Sequence, residues 1–443
     1  MPLHSHYLMN HRIKQFLVAA AVLGGAHTAL AADRNPALDI LVKKGLITAE
    51  ERAQALESAA VAKMAEGPKK AAWYDTLKID GYTQVRQTEQ LNDAANLIGG
   101  LPADRSVDPV QSIVVRRARF KITGDIGRMS LYTQFDLAAS VDSGTSRNFG
   151  LQTRDIYADI ALDEAREHRI RVGVSKVPYG WVNLQSSQNR LAIERPEALN
   201  SAVEGERDQG LYYMWAGKEQ RALFKKHNAE GYKGSGDYGV FTAGFFGGTG
   251  LNKADNNGEV HSLVRFSYPW VAASGQMYEA GVGAYAGRFK VTPGTGVTAD
   301  ARQLSDGFKD RRTFATFVMF PQPWGIEAEW TVGQGPQLND AGTRILEQNL
   351  EGGYVMVNYR YQYGEGSELL PFVRWNYYDG ARKFGTNAHK MVVNDLDIGF
   401  EWQWRPEVEL SMMYSLTGER TNAAGTAIVK DARRLAIQLQ FNY

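Results

Sequence analysis

From about residue 76 to the C-terminus, apolar and polar residues alternate in one segment after another. In Ser112–Gly124, SIVVRRARFKITG, Val114, Ala118, Phe120 and Ile122 fall on one face, and Arg117, Arg119, Lys121 and Thr123 on the other. A period of two is that of a strand. An apolar face backed by three cations suits a wall between lipid and water. One such strand also fits a soluble sandwich, so the repeat carries the case. The pattern predicts strands at 76–88, 111–124, 129–139, 152–162, 168–177, 209–216, 238–247, 258–268, 276–290, 311–320, 325–332, 352–363, 369–378, 392–403, 407–416 and 433–443. Their number is even, as in single-chain bacterial barrels.

The connections sort themselves by length. Links after even-numbered strands are short, such as Asp125–Arg128, Gly364–Ser367 and Arg405-Pro406; links after odd-numbered strands are long and polar, 178–208 longest among them. Tight turns on one rim and long loops on the other predict an all-β, 16-stranded antiparallel transmembrane β-barrel with both termini in the periplasm. Residues 217–237, after the sixth strand, are long where a tight turn belongs, so either a strand is misplaced there or the chain carries a periplasmic insertion. In the final segment Leu435, Ile437, Leu439, Phe441 and Tyr443 alternate with smaller or polar residues. A terminal aromatic on such a strand is the kind of signal that outer-membrane insertion machinery reads. Phe is the more usual final residue than Tyr443.

Before the strands the pattern changes. Arg12 and Lys14, an apolar core over Phe16–Leu30 and the Ala29-Leu30-Ala31 site predict a secretory signal peptide at 1–31, with Met1 or Met9 as the start. Residues 32–70 are predicted to be a periplasmic helical segment and linker, and 71–443 the barrel. Asn35-Pro36 opens one helix and Gly45 closes it; Thr48-Ala49-Glu50-Glu51 has the spacing of a capping box for a second. Ala49, Ala53, Leu56 and Ala60 make about two weak heptads, short of the three or four that define a coiled coil. An oligomerising arm and a hairpin docked on or trailing from the barrel both remain open. Gly67-Pro68-Lys69-Lys70 reads as the linker.

Composition narrows the classes. The 443 residues include 45 Gly, 18 Phe, 9 Trp and 21 Tyr but only 14 Pro and no Cys. The aromatics suit interfacial girdles, and the missing thiols exclude a disulfide frame, a thiolate metal site and a cysteine nucleophile. No metal or cofactor constellation is visible in the sequence. Mean hydropathy is −0.37, which argues against a bundle of membrane helices. Without Arg12 and Lys14 the mature chain has 48 basic and 49 acidic residues, so nucleic acid is not an expected partner. Any ion preference must come from where charges sit.

By parity, Arg86, Arg117, Arg119, Lys121, Arg169, Arg171, Arg265, Arg360 and Arg374 point into the barrel. So do Asp136, Asp155, Asp159, Glu327, Glu329, Asp395, Asp397, Glu401, Glu407 and Glu409. Arg116 breaks the parity and requires a bulge or a rim position. Loop 178–208, with Arg190, Glu194, Arg195, Glu197, Glu204, Glu206, Arg207 and Asp208, is the candidate constriction; alternatively it packs over the rim with its charges paired to each other. Arginine suits an oxyanion because its planar fork binds two oxygens at once.

Three stretches carry a family resemblance: Leu38–Glu51 (LDILVKKGLITAEE); Val115–Lys121 (VRRARFK) with Gly124-Asp125; and Val172–Gly180 (VGVSKVPYG) followed by Glu194-Arg195 and Arg207–Gly210. Together they resemble the phosphate-selective porins O and P. The resemblance implies a homotrimer of 16-stranded barrels in the bacterial outer membrane, in contact with lipid and lipopolysaccharide. It implies that the loop after the fifth strand folds into each pore and that the cargo is small anions such as phosphate or polyphosphate. The matching positions Arg116, Arg117, Lys176 and Arg190, with Asp159 as a moderating carboxylate, are the expected central site. Arg119, Lys121 and Arg195 are expected pore-lining neighbours.

Other classes make different demands. A barrel hydrolase needs a Ser–His or Asp–His pair at the rim; after the leader only His168, His227, His261 and His389 remain, none in a nucleophile motif. A sugar porin needs lumen-facing aromatics, whereas Tyr359, Tyr361, Trp402 and Trp404 have outward parity. A general, unselective porin is not separable from an anion porin at this stage. Acidic strands 14 and 15 argue against strict anion selectivity, and Lys383, His389 and Lys390 are candidates for steering anions at the mouth, or for a plain solvated loop.

Overall fold

The computed structural model describes residues 36–65, 72–92, 113–138, 150–256, 258–421 and 427–443, with side chains excluded at 59–65. The expected signal peptide and the linker Gly67–Lys70 lie outside them. The chain divides into two units, one ending at Ala72 and the other beginning at Trp73.

The first unit holds α1 (Pro36–Lys43) and α2 (Ala49–Ala65). Gly45 lies at φ 68°, the left-handed turn that ends α1. The capping box forms as the spacing requires. The Thr48 amide donates to Glu51 Oε2 (2.8 Å) and the Glu51 amide to Thr48 Oγ1 (3.1 Å). Arg52 pairs with Asp39 at 2.7 Å, tying the two helices together.

The second unit is a closed barrel. Its strands are β1 Lys78–Gln90, β2 Val114–Ile126, β3 Met129–Asp136, β4 Gln152–Ala161, β5 His168–Lys176, β6 Arg207–Trp215, β7 Phe241–Phe246 and β8 His261–Val271. They continue with β9 Met277–Phe289, β10 Phe308–Met319, β11 Trp324–Leu338, β12 Ile345–Tyr359 (resuming at Tyr361–Gly364 after a break at Arg360), β13 Ser367–Ala381, β14 Lys390–Arg405, β15 Val408–Thr421 and β16 Ile428–Asn442. Every neighbour is antiparallel and consecutive in sequence, and β1 pairs with β16 from Tyr82↔Asn442 to Gln90↔Arg434. The seam is finished by the last residue. The Gly81 amide donates to the Tyr443 carbonyl (2.6 Å), and the Tyr443 hydroxyl donates to the Arg119 carbonyl (3.2 Å). Among the described residues no helix is long and apolar enough to cross a membrane. The strands cross.

Burial is inverted relative to a soluble protein. Ile156, Val172, Val264, Val282, Val355, Val373 and Ile398 are exposed on the outside, while Arg86, Arg119, Asp136, Glu279 and Asp395 are buried inside. On the outer face Trp402 and Tyr361 lie level with Leu369 at the short-turn rim, whereas Tyr377 lies eight residues higher on β13. Trp330, Trp375 and Tyr377 stack there, with centroids 5.8–5.9 Å apart. Eight residues of strand rise about 26 Å, roughly 20 Å of height at porin tilt, so the two aromatic groups bracket an apolar band of bilayer size.

The wall is uneven. β3 to β7 have six to ten residues each, and β11 to β16 fourteen or more. Sequence parity ends β11 at 332 and begins β12 at 352, but the ladder runs to Leu338 and restarts at Ile345. Above the bilayer a strand has no lipid to face, so Gln334-Gly335-Pro336-Gln337 pairs without an apolar face to reveal it. Glu407, expected inside, lies exposed in the β14–β15 turn. The long link after β6 is an insertion, not a misplaced strand: it contains α3 (Lys218–Ala229) and a glycine-rich return to β7.

The barrel is filled from within. Residues 177–206 enter the lumen and lay Val177, Tyr179, Trp181, Ile193 and Leu199 against Tyr285, Phe314, Phe320, Tyr354 and Tyr378 of the wall between β9 and β13. This side of the lumen is thereby a packed apolar core.

Candidate functional site

The constriction begins at the β5–β6 stem, where Lys176 and Arg207 lie opposite each other in register. From there the loop is fixed to both walls. Glu329 of β11 accepts the amides of Trp181 (3.0 Å) and Val182 (3.1 Å). Arg312 of β10 donates to the Ala198 carbonyl (3.1 Å), the Ser201 hydroxyl (2.9 Å) and the Ser201 carbonyl (3.0 Å). On the other side the Ser187 hydroxyl lies 2.6 Å from that of Tyr82 and accepts from Arg119 at 3.0 Å. Both expectations for the loop hold in part: it is tucked inside, and its charges are paired.

Two carboxylates organise the cations. Glu194 is shared by Arg86 (2.6 Å), Arg116 (3.1 Å) and Arg117 (3.2 Å). Glu206 is shared by Arg190 (2.5 Å), Arg207 (2.6 Å), Lys176 (3.3 Å) and Arg195 (3.4 Å). Asp136 takes Arg119 (2.8 Å) and Asp155 takes Arg207 (2.8 Å). Arg154 donates to the Gly205 carbonyl and the Gln152 side chain, each at 3.1 Å. Nine cations therefore stand with four carboxylates. Burial alone raises the Glu194 carboxyl, but Arg116, Arg117 and Arg86 outweigh it and hold it below the usual range. Glu206 is likewise held well below its ordinary value, by Arg190, Lys176, Arg195 and Arg207 against the cost of burial. Both therefore stay ionised at physiological pH.

This charge surrounds a cavity of about 390 Å³ on the long-loop side of the constriction. Arg116, Arg117, Arg119 and Arg154 line it from β2 and β4, Asp136 from β3, Glu194, Arg195, Glu197, Glu204 and Glu206 from the constriction loop, and Lys253 and Arg382 from outer loops, seven cations against five carboxylates.

Of the residues expected from sequence, Arg116, Arg117, Arg119 and Arg195 line the cavity together. Lys176 and Arg190 stand behind them on Glu206. Lys121 is further down β2 and pairs with Asp80 at 2.6 Å. Asp159 is not part of the group. It forks with Arg171 (2.7 and 2.8 Å) and lies level with Ser130 and Asp125, eight residues down β2 from Arg117, about 26 Å along the strand. The carboxylates that pair with the group are Glu194 and Glu206. Lys383 does not steer from a solvated loop: it is buried and paired with Asp310.

Arg116 sits at a bulge, as its parity demands: the β1–β2 register slips between Gln84↔Arg117 and Val85↔Val115. Arg154, which parity misses, sits at a second bulge, where Gln134↔Asp155 gives way to Phe135↔Thr153. Each bulge turns two consecutive residues toward the lumen. The signal was present: Arg116-Arg117 and Arg154-Asp155 are adjacent charges within strands. Among the described residues no group of three or more His, Asp or Glu is arranged to hold a metal ion.

Residues 98–443 match the family described as phosphate-selective porin O and P. The chain belongs to that family. OmpF of Salmonella typhi, in a complex with daunomycin, superposes with a TM-score of 0.55 at 11% identity, covering 83% of this chain and 97% of that one. An anion-selective porin from Comamonas acidovorans gives 0.47 at 10% identity, covering 83% and 99%. The outer membrane channel DcaP of Acinetobacter baumannii gives 0.47 at 13%, covering 83% and 97%. No curated protein matches the chain. Family and fold make it an outer-membrane porin, a channel.

Proposed function

We propose that this porin passes small anions and holds oxyanions such as phosphate transiently in the vestibule above its constriction. The observation that carries the reading is the excess of cations over carboxylates around that cavity, in a chain whose overall charge is nearly zero. Arg116, Arg117, Arg119 and Arg154 provide planar forks for phosphate oxygens. Because most of these forks already rest on Glu194, Asp136 or backbone carbonyls, an arriving anion exchanges one partner for another, and release stays fast. Rings of fixed positive charge favour anions over cations in a pore. We further propose a homotrimer, carried by the family's known organisation.

The test is planar-bilayer recording on refolded mature protein. In a salt gradient the reversal potential should have the anion-selective sign, and phosphate should block a chloride current. Replacing Arg116, Arg117 and Arg154 together by Gln should abolish the block and bring the anion-to-cation permeability ratio toward one. A cation-selective current, or block by maltodextrin where phosphate has no effect, overturns the reading.

A further inference from the structure

The insertion after β6 does not hang below the barrel. α3 packs against the barrel, with the centroid of the buried His227 ring 3.8 Å from that of Phe320. The return segment, Glu230–Gly239, then crosses the lumen. At its near end Asp237 pairs with Arg169 of β5 (2.6 Å), and the Arg171 guanidinium lies 5.0 Å from the Tyr238 ring. At its far end Lys233 is buried and paired with Glu401 of β14, with Glu409 of β15 4.0 Å away. The Arg360 guanidinium lies 4.9 Å from the Tyr232 ring. β5–β6 and β14–β15 are half a circuit apart in the sixteen-stranded ring, so the segment spans a diameter.

Three features fit a built strap. Gly231, Gly236 and Gly239 take positive φ, and so does Lys233 (φ 61°), a conformation that costs a non-glycine residue about 1 kcal/mol or more and persists where the surroundings enforce it. The strap meets the constriction loop directly, Gln185 Nε2 donating to the Lys233 carbonyl at 2.6 Å. Its charges balance. Lys233 faces Glu401 and Glu409, Arg360 faces Glu368 (2.7 Å), and Asp237 faces Arg169 and Arg221 (2.9 Å). The vestibule, by contrast, has more cations than carboxylates in its lining.

We propose that residues 230–239 are a second constriction, entering from the periplasmic mouth and latched by Lys233, and that it selects by size while the vestibule selects by charge. This rests on the channel reading above and divides its selectivity between two sites. A solute that passes the arginines then meets a narrow, charge-balanced bar, which limits its girth without attracting or repelling it. Lys233 is a positioning residue: it holds the strap against the far wall.

The experiment uses the absence of native cysteine. Ser235 lies in the strap, buried, with its hydroxyl unbonded, and supplies a single-thiol site as Ser235→Cys. Adding a negatively charged methanethiosulfonate to a conducting Ser235→Cys channel should at least halve its conductance, with no effect on the parent. A second variant, with 218–238 replaced by a tight turn, should conduct severalfold more and admit larger polyethylene glycols at an unchanged reversal potential. A thiol that cannot be labelled in the open channel, or labelling without loss of current, overturns the proposal. So does a strapless barrel of unchanged conductance and size limit. If the strapless chain does not fold, the thiol result stands alone and decides. A cation-selective parent whose current still falls on labelling would overturn the anion reading and leave the strap.

Discussion

Arg154 and Arg119 line the same cavity but are held differently. Arg119 is forked into Asp136 and Ser187, whereas Arg154 donates to a backbone carbonyl and a glutamine. Replacing Arg154 by Gln should lower the anion-to-cation permeability ratio and leave the barrel's heat stability near that of the parent. Arg119→Gln strands the buried Asp136 and should cost about 3 kcal/mol, read as an earlier loss of the compact band when unboiled samples are heated before electrophoresis. His227 gives a pH-dependent outcome. Burial against Phe320 and the nearby Lys226 draw its pKa down to about 4 from an ordinary 6.5, so the neutral ring is the docked form. The undocked chain binds the proton more readily below pH 6.5. Docking of α3 is therefore at full strength above pH 6.5 and weakens as pH falls toward 4, by about 1.4 kcal/mol per unit within that window. Hydrogen exchange of the α3 amides, corrected for the intrinsic rate at each pH, should lose protection across it, and His227→Phe should flatten the dependence.

At the scale of elements, the constriction loop depends on its anchors. Glu329→Leu removes the acceptor for two buried amides and should loosen the loop by about 2–3 kcal/mol, visible as larger and noisier single-channel currents. Gly180 enforces the same contact, since it lies at φ 72° and a Cβ there would come within 2.1 Å of Glu329 Oε1. Much of this level was legible beforehand. A period of two separates faces wherever one face meets lipid, which is why Arg117, Arg119 and Lys121 were placed inside from sequence. The rule fails where lipid is not the constraint. Bulges admit Arg154, the tall rim hides the ends of β11 and β12, and the strap between β6 and β7 has no period at all. Asp159 failed for another reason: parity gives a face but no height, and height needs the register of the neighbouring strands.

Over the whole molecule, the seam is the place to perturb. Deleting Phe441–Tyr443 removes the Gly81 amide's partner and shortens the β1–β16 ladder at its periplasmic end. The truncated chain should accumulate as unassembled protein of slow, heat-insensitive mobility. Charge has the same global character: a chain of nearly zero net charge gathers nine of its cations around one loop. Its selectivity should therefore fall steeply with ionic strength, because the Debye length shrinks from about 30 Å at 0.01 M to about 3 Å at 1 M salt.

The order of the ring also dictates an order in time. Fifteen of the sixteen wall contacts join strands that are neighbours in the chain and can form as local hairpins. The sixteenth joins Tyr82 to Asn442. Bringing ends that far apart together carries an entropic cost of about 5 kcal/mol beyond that of forming a turn, against a few tenths to 1 kcal/mol gained per cross-strand pair. The expected sequence is an open, curled sheet that acquires its filling loop and strap before its edges meet. Zipping of β1 to β16 is then the slow, final event, and mature porin stores its history in a single join.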